Sequence, residues 1–350
     1  MSVFDHKEFD SHEKVAFFSD KATGLKAIIA VHNTNLGPSL GGCRMWPYAD
    51  SAEALTDVLR LSKGMTYKAA MAQLKLGGGK SVILGNPREH KTDDMMKAMG
   101  RFVEQMGGTY ITAEDSGISV SDIRLMSQNT GHVSGIDAKY RYDGGAADGN
   151  PAPSTAYGVF TGLKASVEHH LECDLKGLKV AVQGLGHVGF RLAKHLHEQG
   201  AQLFVTDIYN DSVKKAVTEL GATAVSPDDI FDQDVDVYAP CAMGASINNE
   251  TIHRLKAKVI AGAANNQLAQ EHLGETLRQK GILYAPDYVI NAGGVIDIYH
   301  QRMLSTAEAM RAHIEGIGET LKEIYVRAEE SQQPTNVVSN KIAEERFSNN

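Results

Sequence analysis

Lys179-Val180-Ala181-Val182-Gln183-Gly184-Leu185-Gly186-His187-Val188-Gly189 decides the fold of this chain. A short apolar strand runs into three glycines spaced GxGxxG, and a helical stretch with Leu192, Ala193 and Leu196 follows. In that setting the first glycine makes a tight turn, the second admits a pyrophosphate, and the third packs helix against strand. The helix amino terminus adds amide donors and a favourable dipole for the phosphates. The next strand-like run, Leu203-Phe204-Val205-Thr206, ends at Asp207, about twenty residues after the fingerprint, where a carboxylate accepts hydrogen bonds from ribose hydroxyls. That carboxylate repels a 2′-phosphate, so the pattern predicts NAD bound by Gly184, Leu185, Gly186, His187, Val188, Gly189 and Asp207. Lys214 and Lys215 lie close enough in sequence to weaken the discrimination against NADP.

Towards the carboxyl terminus, apolar runs at 202–206, 235–239, 258–262 and 282–285 alternate with helical spacers, which predicts a parallel, doubly wound sheet. Towards the amino terminus, residues 137–153 are rich in glycine and proline and read as a linker. Before it, residues 25–32 suit a buried strand, and Asn35 to Gly42 hold too much glycine and proline for regular structure. A helix starts after Asp50, with Glu53 completing a capping box and Leu55, Val58 and Leu59 forming its apolar stripe. Lys68 falls near its far end. Leu76-Gly77-Gly78-Gly79-Lys80-Ser81 reads as a glycine turn that delivers an ammonium, followed by a strand over Ser81 to Gly85. It is not a phosphate loop, because Leu74 stands where that motif needs glycine. After Thr92, the residues Met95, Met96, Met99, Phe102, Val103 and Met106 keep helical spacing, and such a methionine stripe belongs to a core. Thr109 to Ala113 forms a strand followed by Glu114 and Asp115, acids placed where α/β sheets carry their chemistry.

Composition narrows the function. The 350 residues suit two domains, and a net charge of -8 without a basic run argues against a nucleic-acid partner. Cys43, Cys173 and Cys241 show no paired spacing, and His169-His170 lacks helical metal-ligand spacing, so no disulfide framework or metal site is expected. The charged first residues contain no apolar run, which points to a cytoplasmic protein with a small soluble ligand.

Several segments carry a family resemblance: Gly37 to Trp46, Lys63 to Lys68, Leu76 to Ser81, Ala113 to Asp115, Asn150 to Gly158, the fingerprint at 184–189, and Ala285 to Gly294. Taken in order, they resemble the glutamate, leucine, phenylalanine and valine dehydrogenase superfamily, most closely its leucine dehydrogenase branch. The resemblance implies an α/β protein of two domains separated by a cleft. A catalytic domain over about 1–140 is joined by a returning helical segment at about 325–350, within the helical stretch Ala307 to Arg346 that carries Ile314, Ile317, Leu321 and Ile324. A Rossmann NAD domain covers about 150–324. The activity implied is NAD-linked, reversible oxidative deamination of an L-amino acid to a 2-oxo acid and ammonia by a homo-oligomer.

Residue by residue, the resemblance gives Lys68 the substrate carboxylate and makes Lys80, its pKa lowered by burial and a cationic neighbour, the base that activates water. Asp115 exchanges protons with the amino group. Gly41 and Gly42 offer backbone contacts to the carboxylate, Thr155 and Asn266 orient nicotinamide or amine, and Asn265 and Cys241 lie on the cofactor side. Leu40, Ala113, Val295 and Ile298 line the side-chain pocket. Being apolar and space-filling, they favour leucine, valine or isoleucine over an aromatic amino acid such as phenylalanine or tryptophan. A non-catalytic nucleotide-binding regulator is disfavoured, since Lys68, Lys80 and Asp115 are all present. Cys43 stands where the leucine enzymes have threonine and is expected to pack as a small apolar residue. The stretch Tyr140 to Gly149 is longer than usual for the family.

Overall fold

The computed structural model describes residues 3–136, 150–242 and 244–348. Among these, no helix is long and apolar enough to cross a membrane. The first unit contains β1 (Lys14–Asp20), β2 (Leu25–Asn33), β3 (Ser39–Trp46), α1 (Ser51–Met71), β4 (Gly77–Leu84), α2 (Asp93–Gln105), β5 (Tyr110–Ala113) and α3 (Val120–Met126). Its sheet runs β1-β2-β4-β3-β5, with β1 and β4 antiparallel to β2, and β3 parallel to both β4 and β5.

Strand period two divides this sheet into two faces. Ile28, Ala30 and Val82 pack under Ala54, Val58 and Leu59 of α1. Leu25, Ala27, Ile29, Cys43, Met45 and Ile83 face α2, whose methionine stripe is buried as core. Full burial of a side chain such as Leu25, Ile29, Met45 or Ile83 contributes about 1.5–3 kcal/mol of transfer free energy. Asp50 caps α1 by accepting from Glu53 N at 2.9 Å, but Glu53 reaches back to Ala49 N at 2.6 Å, so the capping box closes one residue early. Thr92 caps α2 by accepting from Met95 N at 3.2 Å.

Two sequence expectations are corrected here. Gly77-Gly78-Gly79 is not a turn but the first part of β4, and the Asn35 to Gly42 segment is regular from Ser39 onward. Glycine propensity argues against strand, yet space decides. A Cβ on Gly78 would collide with Thr66 of α1, one on Gly77 with the carbonyl of Asn33, and one on Gly41 with the carbonyl of Gly79. Only bare backbone lets α1 and the neighbouring strands lie this close.

The second unit begins with α4 (Ala152–Leu171), β6 (Lys179–Gln183), α5 (Gly189–Glu198), β7 (Gln202–Thr206), α6 (Asn210–Leu220), β8 (Thr223–Ala224), β9 (Val237–Pro240) and β10 (Val259–Ile260). It continues with α7 (Leu273–Gln279), β11 (Leu283–Tyr284), α8 (Asp287–Ile290), α9 (Gly293–Arg302), α10 (Ala307–Ser331) and α11 (Thr335–Ser348). The six strands are all parallel in the order β11-β10-β9-β6-β7-β8. Chain order reverses at β6, so the crevice at its carboxyl end is the expected ligand position for a doubly wound sheet. The two-residue β8 lacks an apolar run and escaped the sequence pattern.

Residues 137–149 of the expected linker, including the whole Tyr140 to Gly149 stretch, lie outside the described residues. Ala152 and Pro153 of the same stretch already belong to α4, where proline suits a first turn. The carboxyl-terminal helical stretch is two helices, because Gln332 takes a left-handed conformation (φ 53°) ahead of Pro334. Ile314, Ile317, Leu321 and Ile324 are buried as packing residues. Helix α11 meets the end of α1: Tyr67 Oη donates to Glu344 at 2.8 Å, and Arg346 donates to the Met71 carbonyl at 3.1 Å.

Candidate active site

Lys80 sits in the middle of β4, opposite Ala30 of β2. Pairing of Leu40 with Gly78 and of Gly42 with Ala113 puts Leu40, Gly42, Lys80 and Ala113 on the α1 face of the sheet. Lys80 is buried, and its Nζ pairs directly with Asp115 Oδ2. Asp115 is delivered by the loop after β5, where Ser116 N donates to its Oδ1 at 2.5 Å. Gly42 has no side chain because a Cβ there would press on Asp115 Cβ and the Glu114 carbonyl. Burial alone would raise the Asp115 carboxyl, but Lys80 and Arg44 hold it well below the usual carboxylate range.

Lys68, half-buried at the end of α1, lies within electrostatic range of this pair. Burial pushes its ammonium down to about 8, with Asp287 and Asp115 opposing and Lys80 adding to the depression. Asp287 begins α8 in the second unit, so the two units meet at Lys68. Its carboxylate accepts from Gln267 N at 3.1 Å and Tyr288 N at 2.7 Å, and burial raises it despite these donors.

Of the remaining predicted substrate residues, Leu40 and Ala113 share the sheet face of Lys80. The Gly41 carbonyl accepts from Tyr110 Oη at 2.6 Å. Leu40 and Val295 belong to one apolar cluster, against which the half-buried Ile298 packs. Cys43 faces away towards α2, fully buried, and burial pushes its thiol up to about 12; it is a packing residue, as expected.

On the cofactor side, Gly184 turns with φ 99° and Gly189 packs against the Gly184 carbonyl and Cys241. Gly186 alone faces open space, with nothing within 4 Å of a Cβ built there. That gap, the amino terminus of α5 beside it, and Asp207 at the end of β7 fit a dinucleotide. Asp207 already accepts from Leu185 N at 2.6 Å and Tyr209 N at 2.9 Å, so it also shapes the loop. The His187 carbonyl accepts from Arg191 at 2.7 Å, and Val188 leads into α5. Lys215 lies over the Phe190 ring at 4.3 Å and Lys214 faces Asp211 at 3.6 Å, so both cations have local partners. Thr155 Oγ1 donates to the Pro151 carbonyl at 2.9 Å beside Gly294. Asn265 accepts from Asn291 at 2.8 Å, whereas Asn266 is held left-handed (φ 51°) with its carbonyl accepting from Ala245 N. Cys241 packs beneath the fingerprint, its thiol pushed up to about 12 by burial. Among the described residues, no group of three or more His, Cys, Asp or Glu is arranged to hold a metal.

Residues 12–132 match the Glu/Leu/Phe/Val dehydrogenase dimerisation domain, and residues 144–207 and 205–346 match the Glutamate/Leucine/Phenylalanine/Valine dehydrogenase model. The chain belongs to this dehydrogenase family. Leucine dehydrogenase of Thermoactinomyces intermedius is 48% identical over 99% of this chain and 94% of its own length. Phenylalanine dehydrogenase of Caldalkalibacillus thermarum (strain TA2.A1) is 44% identical over 99% and 94%. The crystal structure of L-tryptophan dehydrogenase from Nostoc punctiforme shares 46% identity and a TM-score of 0.85, covering 97% of this chain and 96% of that one. The protein is thus an amino-acid dehydrogenase whose cofactor is NAD.

For this dehydrogenase, sequence reasoning missed Arg44, Asp57 and Asp287. Arg44 and Asp287 stood inside recognised segments but had no assigned task. Asp57 gives no signal at all, since an aspartate on a helix normally reads as solvated surface.

Proposed function

We propose that this chain catalyses the reversible NAD-dependent oxidative deamination of an aliphatic L-amino acid, leucine, valine or isoleucine, to its 2-oxo acid and ammonia. The observation that carries the reading is the direct Lys80–Asp115 pair on the sheet face that Lys68 approaches from α1. The Lys68 ammonium pairs with the substrate carboxylate, assisted by backbone at Gly41 and Gly42. NAD, when bound along the fingerprint, Asp207, Thr155 and Asn265 side, supplies the acceptor for the α-hydrogen as hydride. Lys80 takes a proton from the water that adds to the resulting iminium carbon. Asp115 then passes a proton to the departing amine, and Asn266 orients that amine. Burial around Lys80 limits competing water at this step.

The aliphatic preference rests on Leu40, Ala113, Val295 and Ile298, which offer no charge or hydrogen-bonding side chain to a substrate. An aromatic substrate is the second reading, favoured by the comparable identity to phenylalanine and tryptophan dehydrogenases. Self-association belongs to the proposal as well: the match to a dimerisation domain coincides with an edge strand, β1, on which Phe17 is 59% exposed. NADH formation followed with a panel of L-amino acids is the direct test. No reduction with any member removes the proposal, and a higher kcat/KM for phenylalanine or tryptophan than for leucine replaces the aliphatic reading with the aromatic one.

A further inference from the structure

Arg44 lies on the same face of β3 as Gly42 and reaches in two directions. Its Nη2 lies 3.6 Å from Asp115 Oδ2, and its Nη1 donates to Asp57 Oδ2 at 2.9 Å. Asp57 comes from α1, and the same oxygen accepts from Tyr48 Oη at 2.7 Å, while Arg60 approaches its other oxygen at 3.6 Å. Arg44 Nε is buried without a hydrogen-bond partner, so the guanidinium is located by its two ends. Arg44 also lines a pocket of about 350 Å³ together with Tyr48, Asp57, Arg60 and Ser116.

We propose that Arg44, anchored by Asp57, is a positioning residue that fixes Asp115 against Lys80 and thereby sets the pH at which the site becomes competent. The inference rests on the proposed proton-handling roles of Lys80 and Asp115. Other charged groups near Asp115 do not substitute for Arg44. Lys68 acts from α1 and faces Asp287 as well. Asp122 of α3 is held by Lys91 at 2.7 Å, Tyr110 of β5 is tied to Gly41 and Ser81, and the Cys43 thiol is protonated.

The sign is fixed by charge. Loss of the Arg44 cation favours protonation of both members of the Lys80–Asp115 pair, so the ascending limb of the kcat/KM–pH profile moves to higher pH. Arg44→Met is expected to move it by about one pH unit or more, and Arg44→Lys, which keeps the charge but not the fork, by less. Asp57→Asn separates anchoring from simple electrostatics. Loss of a nearby anion alone would move the limb to lower pH, whereas release of Arg44 moves it to higher pH. KM for NAD should stay unchanged in all three variants.

The pH dependence of Lys80 acetylation by acetic anhydride, read by mass spectrometry, measures the same shift without turnover. An unmoved limb and unmoved labelling in Arg44→Met, or a downward shift in Asp57→Asn, would overturn the inference. If Arg44→Met fails to fold, Asp57→Asn and Arg44→Lys decide by the same labelling. Should the wild-type protein turn over no amino acid while labelling still shifts upward, the proposed function falls and the positioning role of Arg44 stands.

Discussion

Two glycine clusters adjoin strands in this molecule, and they serve opposite ends. Gly77-Gly78-Gly79 lies within β4 and is filled from both faces by the protein itself, by Thr66, Asn33, Ser39 and Tyr110. Gly184, Gly186 and Gly189 follow β6, and there two glycines are packed while Gly186 looks into empty space. The first cluster removes side chains so that secondary structures can touch, which sets the depth at which Lys80 emerges beside Asp115. The second removes one so that something else can approach. Glycine content alone does not distinguish these uses; the neighbour of the missing Cβ does.

Substitutions can break or sharpen that contrast. The largest effect is expected for Lys80→Ala, which should lower kcat by about 10²–10⁴-fold, as for loss of a positioned base, while the NAD dissociation constant stays near wild type. A comparable loss of NAD affinity would merge the two regions into one site. Next, Gly78→Ala should cost about 3 kcal/mol or more in urea unfolding, because its Cβ would meet backbone of α1 rather than a movable side chain. Gly186→Ala should leave the same unfolding curve within about 0.5 kcal/mol, yet weaken NAD about tenfold in a fluorescence titration. Equal stability losses for the two alanines would erase the distinction. The smallest effect concerns Lys68. Since its ammonium titrates near 8, it is charged below that pH and neutral above it. Binding of a 2-oxo acid should therefore hold steady below about pH 8 and weaken by up to about tenfold per pH unit above it. A flat profile would remove Lys68 from carboxylate recognition.

The cofactor half was legible because its signals are local. Strand, glycine spacing, helix and terminal Asp207 follow one another within thirty residues of sequence, and β6 and β7 begin and end at the expected positions. The first half was legible in its amphipathic helices but not in its glycines, since the contact that forbids a side chain at Gly78 comes from Thr66 on another element. The same distance effect hid Asp57 and Asp287, whose tasks depend on partners brought close only by folding. Short strands β8, β10 and β11 have two residues each and leave little periodicity to read.

The full burial of Cys43 and the half-buried position of Cys241 have a practical consequence for spectroscopy. With both thiols pushed up to about 12, neither presents a thiolate to a maleimide near neutral pH. Cys173 is exposed just beyond α4, at the periphery of the NAD-binding unit. A single fluorophore can therefore be attached there in the native sequence, giving a built-in reporter on the dinucleotide-binding half.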